Sequence, residues 1–358
     1  MLKFKYSHKH PKVEYTPNPK FGTVFTPHML HMKISADNSS EMTAEIVPYA
    51  SEMFSPGTLV FHYGQSIFEG MKAFRQAKGG VAVFRPDLHA KRFAKSAERM
   101  AMPPMSEKIF LDCIREYVAF EQDNVPNEPD HSLYLRPLMI ARDQMVKVSR
   151  SKTYTFYILG LIAGSYFRGG EVKGAKVLVN RHFVRAFPGG LGEAKTAANY
   201  AASLWPQNHA EKFGCDQVLY LDAIKHDLVD ELGGMNFFMV RGGSLVTPVL
   251  NGAILNGVTR RSILDIASQL KLEAREEKIS FTELKEGIQS GAITETFACG
   301  TAAVVSPIGE LLYQEGLQSE PQSIKLPNDF PVAKQVGDLL KSIQRGVTPA
   351  PGDWLMRV

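Results

Sequence analysis

The stretch Gly164-Ser-Tyr-Phe-Arg-Gly-Gly-Glu-Val-Lys-Gly174 constrains the fold more than any other part of this 358-residue chain. Its glycines and polar side chains cannot continue the apolar run TYTFYILGLIA (153–163), and a fresh strand-type run, AKVLVN (175–180), starts directly after it. Such a break near the middle of a chain too long for one ordinary domain marks a domain boundary. The expected organisation is a small N-terminal domain at 1–163, an interdomain linker at 164–174 and a large C-terminal domain at 175–358.

Within each half, strand and helix patterns alternate irregularly. MKAF and VAVF flank Lys78-Gly79-Gly80 as hairpin arms, and MNFFMV and SLVTPV flank Arg241-Gly242-Gly243 in the same way. Ala90, Phe93, Ala94, Ala97 and Met100 recur at helical spacing and predict a helix over 88–100. Ile109, Phe110, Cys113, Ile114 and Tyr117 predict another over 106–120, opened by Ser106 as a cap. SLYLRPLMIA (132–141) and QVLYLD (217–222) read as strands, Thr259 to Leu270 as an amphipathic helix, and Ser280-Phe-Thr-Glu283 as a capping box. The order lacks the regular β-α-β rhythm of a doubly wound sheet. The expected class is therefore α+β or mixed α/β: two domains with mixed sheets and the active site in the cleft between them.

Composition narrows the function. A net charge of +4 from scattered basic residues provides no stripe for nucleic acid, and no apolar run is long enough to cross a bilayer as a helix. Cys113, Cys215 and Cys299 are widely separated and form no C-x-x-C pair, which argues against a disulfide framework or a cysteine metal site. A reducing, cytoplasmic setting follows. The basic N-terminus MLKFKYSHKHPK lacks the apolar core of a signal peptide, and Pro11, Pro17 and Pro19 break the helix a transit peptide would need.

The chemistry concentrates in Ala186-Phe-Pro-Gly-Gly-Leu-Gly-Glu-Ala-Lys195-Thr-Ala-Ala-Asn-Tyr200. Gly189 to Thr196 nearly matches the phosphate loop G-x-x-x-x-G-K-[ST], in which Lys195 would grip a nucleotide phosphate. Ala194 stands where that loop needs glycine, and Pro188 stiffens the entry, so the match is imperfect. The other reading makes Lys195 an amine that attacks a carbonyl. Pyridoxal phosphate chemistry needs such an amine, a carboxylate for the pyridine nitrogen, a hydroxyl for the ring phenolate and a phosphate cup. Lys195, Glu231 and Tyr200 can supply the first three. Leu255-Asn-Gly-Val-Thr259 at a helix start, and the turn at Thr301, can supply the cup. Taken singly, each has a plainer reading: Lys195 solvated, Tyr200 in a core, Glu231 a surface carboxylate, Arg92 on the wet face of its helix.

Taken together they carry a resemblance. FHYGQSIFEGMKAFR (61–75), SLYLRP (132–137), VRAFPGGLGEAKTAANYAASL (184–204), VDELGGMNFF (229–238), LNGVTRRSILD (255–265) and ETFACGTAAVV (295–305) occur in family order. The chain resembles the branched-chain amino acid aminotransferases, fold-type IV enzymes that use pyridoxal 5′-phosphate. The resemblance implies that Lys195 binds the cofactor covalently and acts as general base, that Tyr200 meets the phenolate, and that Glu231 meets the pyridine nitrogen. It implies that Arg92, Val258, Thr259 and Thr301 form the phosphate site, with Arg185 beside it and Leu255 a further cofactor contact. It implies a substrate pocket of Tyr63, Phe68, Tyr134, Arg136, Tyr166, Thr301 and Ala302, completed by Val146 and Val148 from the neighbouring subunit of a homodimer. The implied reaction is reversible transfer of the amino group of leucine, isoleucine or valine to 2-oxoglutarate, giving 2-oxo acid and glutamate. A D-amino acid aminotransferase or an aminodeoxychorismate lyase is the related alternative. Two positions depart from the family pattern: Ala303 and Ser306 stand where mammalian members carry a redox cysteine pair, and Gly234 stands where vertebrate members have threonine.

Overall fold

The computed structural model describes residues 2–17, 19–37, 42–164 and 174–358. The chain divides into two compact units: Met1–Arg168 with Ala194–Ala197 and Ile343–Val358, and Gly169–Glu193 with Ala198–Ser342. The division is not a single cut near the expected linker. The chain returns to the first unit twice, once for the short segment that contains Lys195 and once at its C-terminus. Apart from Gly164 and Gly174, the expected linker lies outside the described residues.

The first half runs through β1 (Leu2–Tyr6), β2 (Phe25–Ser35), β3 (Met42–Pro48), α1 (Leu59–Tyr63), β4 (Ser66–Phe68), β5 (Met71–Arg75), β6 (Val81–Phe84), α2 (Pro86–Arg99), α3 (Glu107–Phe120), β7 (Ser132–Ala141) and β8 (Thr153–Ala163). The second runs through β9 (Ala175–Asn180), α4 (Ala197–Ala201), α5 (Leu204–Glu211), β10 (Gln217–Leu221), β11 (Val229–Leu232), β12 (Asn236–Arg241), β13 (Ser244–Pro248), α6 (Val258–Ile266), β14 (Ala274–Glu277) and α7 (Phe281–Gln289). It ends with β15 (Ile293–Gly300), β16 (Val304–Tyr313), β17 (Gln322–Lys325), α8 (Pro331–Gln344) and β18 (Leu355–Arg357).

Most elements follow the sequence signals. Gly79 and Gly80 take left-handed backbone angles (φ 88° and 80°) in the β5–β6 turn, as do Gly242 and Gly243 (55° and 78°) between β12 and β13. Ser106 caps α3 by accepting from the Ile109 amide at 3.3 Å, and Ser280 caps α7 by accepting from the Glu283 amide at 3.0 Å. The helix expected over 259–270 is α-helical only to Ile266 and tightens to a 3-10 turn beyond it.

In the first unit the strands lie in the order β1-β3-β2-β8-β7-β5-β6-β18, with β4 also on β7. Among the described residues of this sheet, only β1 and β3 pair in parallel. The apolar faces of α2 and α3 close over this sheet, and the Phe93, Phe110 and Phe156 rings meet at 5.2–6.1 Å. In the second unit the order is β11-β10-β9-β16-β15-β12-β13-β14, and β11 also pairs β12 through Glu231 and Asn236. That extra pairing closes six strands into a ring, which satisfies edges that an open sheet would expose. The sheet is mixed, with parallel pairs at β9–β10, β9–β16 and β13–β14. No helix among the described residues is long and apolar enough to cross a membrane.

Strand β11 carries two adjacent carboxylates, and strand pleating directs them to opposite faces. Both are buried, Asp230 6% and Glu231 3% exposed. Burial pushes the Asp230 carboxyl up to about 6; the Asn251 amide, donating at 2.8 Å, offsets this only in part. An acid whose folded value is raised favours the protonated fold, so its contribution is lost as pH climbs through about 6. The rise of roughly two units corresponds to about 3 kcal/mol. Asp230→Asn should therefore melt higher than the parent near pH 8, with the gap closing below about pH 4. A gap that stays constant across that range in thermal melts would show that the carboxyl is not strained.

Candidate active site

Lys195 is held by its backbone on the first unit. Its amide donates to Ser96 Oγ of α2 at 2.9 Å, and its carbonyl accepts from the Phe68 amide of β4 at 3.0 Å. Next to it, the Thr196 hydroxyl donates to the Ser66 carbonyl at 2.7 Å, and Thr196 bridges Ile67 in antiparallel fashion. Each hydrogen bond contributes about 1 kcal/mol net. The lysine stem passes over an aromatic ring, with Nζ 4.9 Å from the Phe68 centroid.

This geometry overturns the phosphate-loop reading. The Thr196 hydroxyl, which would have to face a metal ion, is fully buried and spent on a carbonyl. No strand leads into the glycines, and the helix after them is only Ala197–Ala201. The glycines serve close packing instead: a side-chain carbon at Gly192 would fall 2.2 Å from the Ala253 carbonyl oxygen.

Beside Lys195 lies a network centred on Glu69, a residue that the sequence reading did not single out within its motif. Glu69, immediately after β4, is fully buried. Its carboxylate receives Arg92 Nε at 2.7 Å and Nη2 at 2.8 Å, and His89 Nδ1 lies 2.6 Å from Oε2. Burial alone would raise this carboxyl, but the Arg92 guanidinium and His89 outweigh it and hold it far below the usual carboxylate range. His89 moves down, chiefly because burial disfavours its cation. The imidazole is thus neutral, with Nδ1–H donating to Glu69. The Glu69 carbonyl accepts from Arg136 Nε at 3.0 Å, and Arg136 Nη2 donates to the Tyr134 hydroxyl at 3.1 Å. Arg136 Cζ lies 4.8 Å from the Phe68 centroid. A side-chain carbon at Gly70 would fall 1.9 Å from the Tyr134 hydroxyl oxygen, so only glycine leaves room for it. Lys195, Phe68, Arg92, Tyr134 and Arg136 are thereby gathered on one unit. Arg92 is not on a wet face; its side chain is 10% exposed.

The second unit gathers the remaining candidates around Glu231. Its Oε1 accepts from the Leu255 amide at 2.8 Å, and its Oε2 accepts from Asn236 Nδ2 at 3.0 Å. Arg185 Nη1 lies 2.7 Å from Oε1 as an ion pair, while Arg185 Nε donates to the Gly233 carbonyl at 3.1 Å. Arg185 Cζ is 5.8 Å from the Tyr200 ring centroid. Asn236, which no sequence signal singles out, links this cluster to α6. Its amide donates also to the Leu255 carbonyl at 2.9 Å, and its Oδ1 lies 1.9 Å from where a side-chain carbon at Gly257 would be. Gly257 starts α6 with no side-chain cap, so the first-turn amides at Val258 and Thr259 are not consumed by one. In register, Glu231 pairs Asn236 and Asn236 pairs Cys299, which brings the Thr301–Ala302 turn to the same end of the ring.

Three of the other candidates are surface residues: Tyr63 is 37% exposed, Val146 72% and Val148 81%. Tyr166 lies outside the described residues. At Gly234 a side-chain carbon would be 3.9 Å from Tyr200 Cε1, an ordinary contact, so the glycine opens a small space beside that ring. The three cysteines are free and buried, and burial pushes the Cys299 thiol upward.

The family model Amino-transferase class IV matches residues 66–311. The chain is 42% identical over 339 residues to a protein of Streptomyces coelicolor described as a probable branched-chain-amino-acid aminotransferase, covering 94% of this chain and 92% of that one. It is 41% identical over 345 residues to branched-chain-amino-acid transaminase 1 of Bacillus subtilis, covering 96% of each. Among solved structures, the T.th. branched-chain amino acid aminotransferase with pyridoxamine 5′-phosphate superposes with a TM-score of 0.75 at 27% identity, over 93% of this chain and 99% of that one. The Escherichia coli branched-chain amino acid aminotransferase gives 0.71 at 26% identity, over 87% and 96%.

Glu69 is the structural centre of the first cluster, and removing its charge isolates the buried Arg92. Glu69→Gln should destabilise the protein by about 3 kcal/mol in denaturant unfolding, the lower end of what breaking one side of a buried pair does. A loss below about 0.5 kcal/mol, the size of a surface substitution, would show that the network does not hold Arg92.

Proposed function

The chain belongs to the class IV aminotransferases, and from that premise we propose how its residues move the amino group of L-leucine, L-isoleucine or L-valine to 2-oxoglutarate. The enzyme is a pyridoxal 5′-phosphate-dependent branched-chain amino acid aminotransferase, and its reaction runs in both directions to give branched 2-oxo acid and L-glutamate. The observation that carries the residue-level reading is the Lys195 backbone hydrogen-bonded to both β4 and α2 with its amine over the Phe68 ring.

The donor set fits the cofactor. Lys195 offers an amine, and Glu231 offers a buried carboxylate steadied by Arg185, Asn236 and the Leu255 amide. Tyr200 offers a hydroxyl. The first-turn amides of α6, with Thr301, offer a phosphate site of the kind that helix starts favour, and Arg92 is a further proposed phosphate ligand. When bound, the cofactor supplies a carbonyl that condenses with amines and a conjugated ring that accepts the electron pair released at the substrate α-carbon.

Lys195 would hold the cofactor through Nζ, and the same amine would serve as the base that takes the proton from the substrate α-carbon. Glu231 would hold the pyridine nitrogen of the cofactor, and Tyr200 would hold its phenolate oxygen. Arg185 steadies Glu231 and is a positioning residue. Phe68 and Tyr63 form the apolar wall for a branched side chain, for which only about 1–3 kcal/mol of discrimination per methylene is available. Arg136 and the Tyr134 hydroxyl receive the side-chain carboxylate of glutamate, so one pocket serves an apolar and an anionic substrate. Ala302 is a further proposed substrate contact, as is Tyr166, which lies outside the described residues. Val146 and Val148, exposed on this chain, enter the pocket of a second copy in a homodimer. Buried, unpaired cysteines support a cytoplasmic setting.

Borohydride treatment of the holoenzyme should fix the cofactor on Lys195, read by peptide mass. A labelled peptide without Lys195 would overturn its assignment. Lys195→Ala should stay folded and lose turnover with either amino donor. For Glu231→Gln the expectation is a fall in kcat on the order of 100-fold with the cofactor retained. An unchanged kcat would remove Glu231 from its role.

A further inference from the structure

After β1 the chain crosses the first unit as a strap, held at intervals. The Ser7 amide donates to the Ile46 carbonyl at 2.8 Å, where β1 leaves its pairing with β3. Lys9 Nζ pairs with Asp123 at 2.7 Å, the Val13 amide donates to Asn124 Oδ1 at 2.9 Å, and the Tyr15 hydroxyl donates to Glu128 Oε2 at 3.1 Å. These anchors use the chain that follows α3. Further on lies Phe21, whose ring meets that of Tyr134 edge-on at 5.1 Å, so the strap reaches a candidate substrate residue.

The middle of the strap meets His28 of β2, a side chain buried to 1% exposure. Its Nδ1 lies 2.6 Å from Glu121 Oε1, and Glu121 Oε2 accepts from Asn124 Nδ2 at 2.5 Å. Its Nε2 meets two groups of the strap at once: the His10 amide, which donates to it at 3.0 Å, and the His8 carbonyl at 3.2 Å, which also accepts from Ser7 Oγ. One ring nitrogen cannot serve both. It accepts from an amide through a lone pair, and it bonds a carbonyl only when it carries a proton. The partner is therefore set by the protonation of Nε2. The other neighbours of the ring come from four elements. From α3 come the Tyr117 hydroxyl, donating to the His28 carbonyl at 2.8 Å, and the Phe120 ring, edge-on at 4.9 Å. β3 places Pro48 opposite, and β8 brings Gly160, whose carbonyl accepts from Thr26 Oγ1 at 3.3 Å. The strap brings the His10 ring at 5.2 Å, with the His8 ring behind it, and Lys9 over Phe120. Glu121 is the acid in contact with the ring; burial pushes its carboxyl up, and His28 and Asn124 oppose this.

We propose that His28 is a proton-operated clasp for this strap. With the ring neutral, Nδ1–H faces Glu121 and the bare Nε2 accepts from the His10 amide. When Nε2 takes a proton from water, Nε2–H donates to the His8 carbonyl and the His10 amide is released. The Glu121 carboxylate at Nδ1 supports the cation, and a charge-assisted bond to His8 replaces a neutral one to His10. The outer anchors at Lys9, Val13 and Tyr15 hold the strap while residues 8–10 re-seat. Acidification thus exchanges the partner without unfastening the strap.

The test follows the ring nitrogens of the holoenzyme, made with isotopically labelled histidine, by NMR from about pH 8 to 5, the range in which imidazoles titrate. His28→Gln assigns the His28 signals. Hydrogen exchange at the His10 amide, corrected for the intrinsic effect of pH, is read in matched samples by mass spectrometry with fragmentation. At the upper end neutral His28 should carry its proton on Nδ1, with the His10 amide protected. On acidification Nε2 should gain a proton and protection at His10 should fall about tenfold or more with the same midpoint, while the Val13 amide keeps its protection. Glu121→Gln removes the anion at Nδ1 and should move both changes to lower pH together. His10→Gln keeps the amide, deletes the neighbouring ring and should leave both changes in place. Neutral His28 with its proton on Nε2, or protection at His10 that does not follow the His28 titration, would overturn the proposal, as would a midpoint unmoved in Glu121→Gln. The first two are read on the parent protein alone, so they decide the matter even if Glu121→Gln does not fold.

Discussion

An ionised carboxylate with no exposure to water is tolerable only when cations and donors surround it, and Glu69 meets that condition with Arg92 and His89. The consequences extend past the pair. Its side chain orients Arg92, the candidate phosphate ligand, and its carbonyl orients Arg136, the candidate ligand for a substrate carboxylate. Two arginines with different tasks are thus aimed by the two ends of one residue. Gly70 directly after it admits the Tyr134 hydroxyl, so the Phe68-Glu69-Gly70 step builds ring, charge and space in three consecutive positions. A lysine in place of Arg92 would not substitute, because the two-point contact with Glu69 depends on the planar guanidinium.

The second unit solves a similar problem with a closed ring of strands. Glu231 sits at the seam where β11 meets β12, and the pairing that closes the ring is the pairing that sets Asn236 beside it. Closure and site are therefore one feature. The pleat of β11 then forces the neighbouring Asp230 to the other face, where Asn251 donates to it. Glu231 accepts from the Leu255 amide and Asn236 and pairs with Arg185, whereas burial pushes the Asp230 carboxyl up with Asn251 offsetting it only in part.

Much of this was legible in the sequence where signals are local. Glycine pairs marked the hairpins, Ser106 and Ser280 marked helix starts, and the motif order around Lys195 and Glu231 identified the chemistry. The misses are non-local. Helical periodicity set Arg92 outside the apolar stripe of α2, and by that rule it faces water. Its partner is a carboxylate 23 positions earlier, and periodicity carries no information about such a partner. Asn236 is inconspicuous because an asparagine opening a strand usually signals a turn. The strand Leu355–Arg357, which pairs with β6, is too short for any alternation to show. A single boundary near 164–174 could not foresee that Ala194–Ala197 belongs to the first unit, since that depends on Ser96 and Phe68 receiving its backbone.

That last placement bears on the role proposed for Lys195. A lysine that binds a cofactor, releases it and then moves a proton needs a fixed root and a mobile tip. Its root is fixed by hydrogen bonds on both sides of the residue and at Thr196, together about 3 kcal/mol. Its tip is a four-carbon stem lying over a ring face, a contact strong enough to favour one region and weak enough to leave. The glycines that imitate a phosphate loop make this arrangement feasible from the other side. Gly192 lets the chain pass within contact of the Ala253 backbone before Lys195 meets β4, and any side chain there would push the approach to Lys195 out of line.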